Sequence, residues 1–122
     1  MSSTPVPPRT LTDLETSVVT RLLSSDAPGA SEYLAQVPYS QVVAAWGVGS
    51  PSVDLAVRPG AVQASGSPDG IFASGAVTDR KGAPIGEVML WVESGWLSGI
   101  EYAWYTDERP HALPEPGQIE LL

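Results

Sequence analysis

The residue types best suited to acid–base chemistry are Glu87 and Glu101, which stand on two consecutive apolar-patterned segments and are expected on one sheet face. A close carboxylate pair can serve as acid and base, or bind Ca²⁺ or Mg²⁺, but either role needs desolvation or further oxygen ligands. An open sheet face supplies neither. His111 is the single histidine and lies in a tail with Pro110, Pro114 and Pro116, so it lacks the fixed geometry of a general base. No Gly-x-Ser-x-Gly elbow accompanies it. Gly47-Val48-Gly49-Ser50-Pro51-Ser52 has the glycines of a phosphate cradle, yet Pro51 and an alternating segment stand where a helix would have to begin. It reads as a hairpin turn. With no cysteine in the chain, thiolate nucleophiles, disulfides and zinc–sulfur sites are excluded together. The sequence therefore predicts no catalytic residue, no metal and no cofactor. What remains is recognition.

The charge balance indicates what could be recognised. Lys and Arg number 6 against 14 Asp and Glu, a net charge of −8. So few cations cannot build a phosphate-binding surface, which argues against nucleic acid as a partner. No apolar run approaches the roughly 18 residues that span a bilayer, and Met1–Thr10 has no apolar core of a signal peptide. The expected protein does not enter a membrane and is cytoplasmic. The acids are unevenly placed: from Pro84 to Glu108 the chain carries Glu87, Glu93, Glu101, Asp107 and Glu108 and neither Lys nor Arg. The same stretch holds Trp91, Trp96, Tyr102, Trp104 and Tyr105, more than half of a complement of 4 Trp, 4 Tyr and 1 Phe. Aromatics of this kind favour cores and interfaces.

The elements that must position these residues follow from periodicity. Residues 1–10, rich in Pro, Ser and Thr, read as a disordered leader before a single domain over 11–122. Thr12 and Glu15 form a capping-box pair, and Leu11, Leu14, Val18 and Leu22 recur at helical spacing. Pro28 can open a second short helix that Pro38 stops. From Ser40 the period becomes two, giving a strand through Val48, a turn at Gly49-Ser50-Pro51 and a returning strand over Val53–Val57. Three further strands are expected at Ile71–Val77, Ile85–Val92 and Trp96–Thr106, with Ile119 and Leu121 as anchors for the tail. Helices first and strands afterwards predict an α+β fold: two N-terminal helices on one face of a roughly five-stranded antiparallel sheet.

The register of the last hairpin carries the functional expectation. Val88, Leu90 and Val92 should face the core, as should Ile100, Tyr102 and Trp104. A two-residue turn at Ser94-Gly95 points these sets apart, whereas a three-residue loop, Glu93-Ser94-Gly95, pairs Val92 with Trp96 and Val88 with Ile100. That loop puts Glu87 opposite Glu101 on the outer face, where like charges destabilise a sheet and invite a cationic partner.

Several segments resemble a family of small uncharacterised bacterial proteins over most of residues 10–121: Leu11-Thr12-Asp13-Leu14-Glu15 with Leu22-Leu23, Pro28-Gly29-Ala30, Gly49-Ser50-Pro51-Ser52-Val53-Asp54-Leu55, Trp96-Leu97-Ser98-Gly99-Ile100-Glu101-Tyr102 through Asp107-Glu108, and Leu113-Pro114. That family often has cysteines where this chain has Trp46, Val48 and Ser50, so no metal or redox role carries over. The resemblance implies no particular activity. In physical type, a small acidic cysteine-free domain is also similar to the immunity proteins that neutralise bacterial toxins. The expected function is thus a non-enzymatic acidic binding protein, immunity- or inhibitor-like, which masks a basic protein surface with Glu87, Met89, Trp91, Glu93, Glu101, Tyr105, Asp107 and Glu108. The alternative is a small-molecule-binding domain or minor enzyme with a pocket between helices and sheet, walled by Tyr102, Trp104 and Trp46. A homo-oligomer packed through Trp91 and Met89 is a third reading.

Overall fold

The first helix begins where a side chain can satisfy its free N–H groups. Thr12 Oγ1 accepts from the Glu15 amide at 3.1 Å, and Glu15 Oε1 accepts from the Thr12 amide at 2.8 Å, the reciprocal cap its spacing predicts. Helix α1 (Asp13–Leu22) then turns Val18, Val19 and Leu22 inward, all fully buried. The second helix, α2 (Ala30–Leu34), is shorter than expected. Gly29, at φ 94°, caps it in a conformation that favours glycine, and Val37–Tyr39 form a separate 3₁₀ turn. Tyr33 of α2 is buried edge-on against Phe72, with ring centroids 4.7 Å apart. These positions come from a computed structural model that describes residues 3–122.

Among the described residues the sheet has seven strands, all antiparallel: β1 (Thr4–Thr10), β2 (Ser40–Ala45), β3 (Val53–Val57), β4 (Gly70–Thr78), β5 (Pro84–Glu93), β6 (Trp96–Trp104) and β7 (Ile119–Leu121). Their order is β1-β2-β3-β6-β5-β4-β7. The fold is α+β, as the sequence predicts, with two strands more than the expected five. Both additions lie at the sheet edges. Thr4–Thr10 is not a disordered leader but a strand on β2; the rest of that expectation, residues 1–2, lies outside the described residues. An edge strand leaves its outward N–H groups without a ladder partner, so Pro5, Pro7 and Pro8 cost little there, and the β1 register shifts between Pro5 and Arg9. At the opposite edge β7 pairs Gly75–Val77 of β4.

One face of this sheet is sealed by the helices. Val77, Val88, Leu90 and Ile100 are fully inaccessible, and Leu97, Val92 and Ile119 nearly so, forming one cluster with Val18, Val19, Leu22 and Tyr33. Gln36 is the most deeply buried of the polar side chains, which include Ser40 and Ser52. Its fully buried amide donates to the Val62 and Gly95 carbonyls at 3.0 and 2.9 Å and accepts from the Leu97 amide at 3.0 Å, and among the described residues no buried side-chain N or O atom goes unsatisfied. The shortest ladder in the sheet is between β3 and β6, with only the pairs Val53↔Ile100 and Asp54↔Gly99. Past it, the Tyr102 amide donates to the Ser52 hydroxyl instead of to a strand.

The β5–β6 register corrects the expected one. Glu93 pairs with Trp96, so the connection is the two-residue turn Ser94-Gly95, with φ at 53° and 80°. Asp69 accepts from the Ser94 amide at 2.8 Å, and a Cβ on Gly95 would collide with the Ala64 carbonyl. The extra residue needed to align the two apolar sets sits three positions past the turn. Between Trp91↔Gly99 and Val92↔Leu97 lies a bulge at Ser98, after which Leu90 pairs with Ile100 and Val88 with Tyr102. Glu101 therefore lies opposite Met89, and Glu87 opposite Ala103, so the direct opposition of Glu87 and Glu101 does not occur. Trp104, expected in the core, is 38% exposed near the strand end.

Candidate functional site

The sheet face away from α1 and α2 carries the aromatic and acidic side chains. Glu87, Met89 and Trp91 alternate with the buried set of β5 and are half-buried, as is Glu101 of β6. A bulge in β2, between Val42↔Leu55 and Ala44↔Asp54, changes the alternation ahead of Trp46 and brings it to this side of the sheet. Trp46 Nε1 donates to Asp54 Oδ1 at 2.8 Å. Trp91 Nε1 donates to Glu101 Oε1 at 2.9 Å. Two indoles are thereby each held by a carboxylate, and the N–H that a half-buried tryptophan must satisfy fixes its ring.

Gly99 lies between the two pairs. It is the rung partner of Asp54 on one side and of Trp91 on the other. With no side chain there, a groove of about 420 Å³ opens over β3, β6 and β5, lined by Trp46, Asp54, Leu55, Trp91, Glu93, Ser98 and Gly99. Two carboxylates and no cation line it. Trp46 also walls a neighbouring hollow of about 260 Å³ with Ser50, Ser52, Glu101, Tyr102, Ala103, Trp104 and Arg109, where β6 runs on past the start of β3. Burial pushes the Tyr102 phenol above its usual pKa.

The expected binding residues divide into two groups. Trp91, Glu93 and Glu101 come together around the groove, with Glu87 and Met89 on the same face. Tyr105, Asp107 and Glu108 do not join them. Tyr105 is 63% exposed just beyond β6, and Asp107 and Glu108 lie at a third hollow with Ile85, Tyr102, Arg109 and His111. The binding surface expected from the sequence omits Asp54, Ser98 and Gly99, and Trp46 is expected only as a wall of the alternative pocket. Asp54 and Gly99 had a readable signal: both interrupt apolar strands on the outward parity. Trp46 had none, because a bulge reverses the face that alternation assigns to it.

The walls proposed for a small-molecule pocket, Trp46, Tyr102 and Trp104, do line one hollow together, the second one described. No residue of α1 or α2 lines it, so it lies at a gap in the sheet and not between helices and sheet. Among the described residues no three His, Cys, Asp or Glu side chains are grouped to hold a metal ion, and no helix is long and apolar enough to cross a membrane. The chain matches no protein-family model, no curated protein and no solved structure.

Proposed function

We propose that this protein is a non-enzymatic binding protein, immunity- or inhibitor-like, that covers a basic surface of a partner protein with the outer face of its sheet. The supporting observation is the contrast between faces: the helices cover one, while the other leaves Trp46, Met89 and Trp91 half-buried beside Asp54, Glu87 and Glu101. Aromatic rings give area with little loss of side-chain freedom, and the acids steer a cationic partner in and penalise an anionic one. The face residues from Pro84 to Glu108 include no Lys or Arg to oppose such a partner. Arg109 stands at the border of the second hollow.

Immobilised protein, used to capture partners from the native host and then measured against each purified candidate, tests this reading. The expected partner is basic, its affinity falls steeply as salt rises, and Glu101→Lys weakens it at least tenfold while thermal unfolding stays cooperative. A neutral or acidic partner whose affinity ignores both salt and Glu101→Lys would overturn it. The similarity in physical type to immunity proteins that neutralise bacterial toxins makes a toxin the first basic protein to try.

A further inference from the structure

The groove over Gly99 points to a narrower specificity. Gly99 has no backbone reason to be glycine: its φ is not in the left-handed region, unlike that of Gly29 or Gly95. Packing constrains it less than it does a core glycine. A Cβ there would meet the backbone carbonyl Val53 O at a tight 3.3 Å, and Trp91 Cβ at 3.7 Å and Asp54 Oδ1 at 4.0 Å in ordinary contact. Gly86, by contrast, faces the core, where a Cβ would stand 2.5 Å from Ala103 O and 2.7 Å from Tyr102 Cε1. A glycine inside a central strand weakens it and marks either a bulge, here at the adjacent Ser98, or the close approach of another group, for which the groove over Gly99 leaves room.

What approaches is set by the walls. Two indoles flank the gap, and the carboxylates that line it, Asp54 and Glu93, have no cation beside them. Asp54 engages Trp46 through Oδ1 alone, and among the described residues neither Asp54 Oδ2 nor the Glu93 carboxylate has a hydrogen-bond partner. A planar cation able to stack on indole and to donate several N–H bonds to carboxylates fits these surroundings, and that is the chemistry of guanidinium. Ammonium is a compact, more strongly hydrated point charge that makes poorer use of two aromatic walls.

We infer that the Trp46–Gly99–Trp91 groove is a subsite for an arginine side chain presented by the basic partner, an inference that rests on the binding reading above. The occupant enters between the indoles, and its N–H groups meet Asp54 and Glu93. The test uses the intact chain and three small probes: N-acetyl-arginine methylamide, its lysine analogue and its neutral citrulline isostere. Indole Nε1–H resonances, assigned with Trp46→Phe and Trp91→Phe, are followed by NMR as each is added. The arginine probe should shift both resonances along a saturable curve, the lysine probe should bind several-fold more weakly, and citrulline should leave them in place. Asp54→Asn keeps an acceptor for Trp46 while removing charge, and should weaken the arginine probe about fivefold. Gly99→Val should abolish its binding; if that variant fails to fold, Gly99→Ala, with a smaller loss, replaces it. Equal responses to arginine and citrulline, or indoles that ignore arginine while the fold is intact, would overturn the subsite. If the arginine probe fails while a captured basic partner still loses affinity with salt and with Glu101→Lys, only the subsite falls; if those dependences are absent as well, the binding reading falls with it.

Discussion

The two faces of the sheet solve the same problem in opposite ways. On the inner face, apolar side chains from β4, β5 and β6 are fully buried under α1 and α2, and the one buried amide, Gln36, has three partners. On the outer face the large side chains stop halfway: each indole is part-covered, its N–H is given to a carboxylate, and the ring remains open to contact. Two indole–carboxylate pairs are more structure than solubility requires, since isolated surface charges serve that purpose as well. The difference teaches that polar satisfaction here does not signify a core. It holds an accessible aromatic surface in one shape.

Substitutions can break or sharpen this contrast. The largest effect is expected at Ile100, fully buried opposite Leu90. Ile100→Glu places an unpaired charge in the core and should cost about 4 kcal/mol or more, seen as loss of the cooperative transition in chemical denaturation. Next comes the pair of glycines. Gly86→Ala crowds the inner face and should cost about 1–3 kcal/mol, whereas Gly99→Ala on the outer face should stay within about 1 kcal/mol. Comparable losses at both sites would remove the argument that Gly99 is there to leave space.

An intermediate effect belongs to the ion pair that ties β1 to α1. Arg9 donates to Glu15 Oε1 at 2.8 Å and Oε2 at 3.0 Å; the Glu15 side chain is 9% exposed and that of Arg9 45%. Burial pushes the Glu15 carboxyl up, but the hydrogen bonds from Arg9 and the Thr12 amide and the charge of Arg9 together outweigh it, holding the carboxyl below its ordinary 4.5. A depressed native pKa contributes stability that is fully present above the unfolded value and is lost as pH falls through the folded one. Arg9→Ala should therefore cost about 1–2 kcal/mol near neutral pH, discounted for the exposed Arg9, and the deficit should shrink below pH 4.5. Denaturation midpoints of both proteins across pH 3–7 would show this, and a deficit independent of pH would contradict it.

The smallest stability effect is expected at Glu101. Because Glu101 faces Met89 and not Glu87, replacing it relieves no like-charge opposition. Glu101→Gln keeps an acceptor for Trp91 and should leave stability within about 0.5 kcal/mol while weakening a basic partner. A clear gain in stability would indicate that the charges of this face repel one another more than its geometry implies.

These outcomes depend on features of unequal legibility in the sequence. The capping box at Thr12 and Glu15, the alternation of β5 and the inward placement of Val88, Leu90 and Ile100 were all readable, because local spacing and burial agree there. The edge strands were not. Proline at Pro5, Pro7 and Pro8 argues against a strand unless its outer side is unpaired, and a short Ile119–Leu121 segment shows too few alternations to be recognised. The bulges mattered most for the site. Parity demanded one extra residue in the β5–β6 hairpin, but a sequence does not say whether it sits in the turn or at Ser98, and the two choices give Glu101 different neighbours. In β2 the same kind of irregularity placed Trp46 on the face opposite to its expected one.

The two-rung seam between β3 and β6 also has a meaning in time. The β2–β3 hairpin and the β4–β5–β6 meander each close through short connections, whereas contacts across the seam, such as the Tyr102 amide on the Ser52 hydroxyl, join residues 50 apart in sequence. Loop-closure entropy makes such distant contacts the later ones to form, so the two units are expected to assemble first and the seam afterwards. The groove takes Trp46 and Asp54 from one unit and Trp91 and Gly99 from the other. A half-assembled chain has the residues without the groove, so a partner bound there would report that folding is complete. Pulse-labelled hydrogen exchange during refolding would display the sequence of events, with the β5–β6 amides protected before the amide of Tyr102; simultaneous protection would show that the molecule folds as one unit.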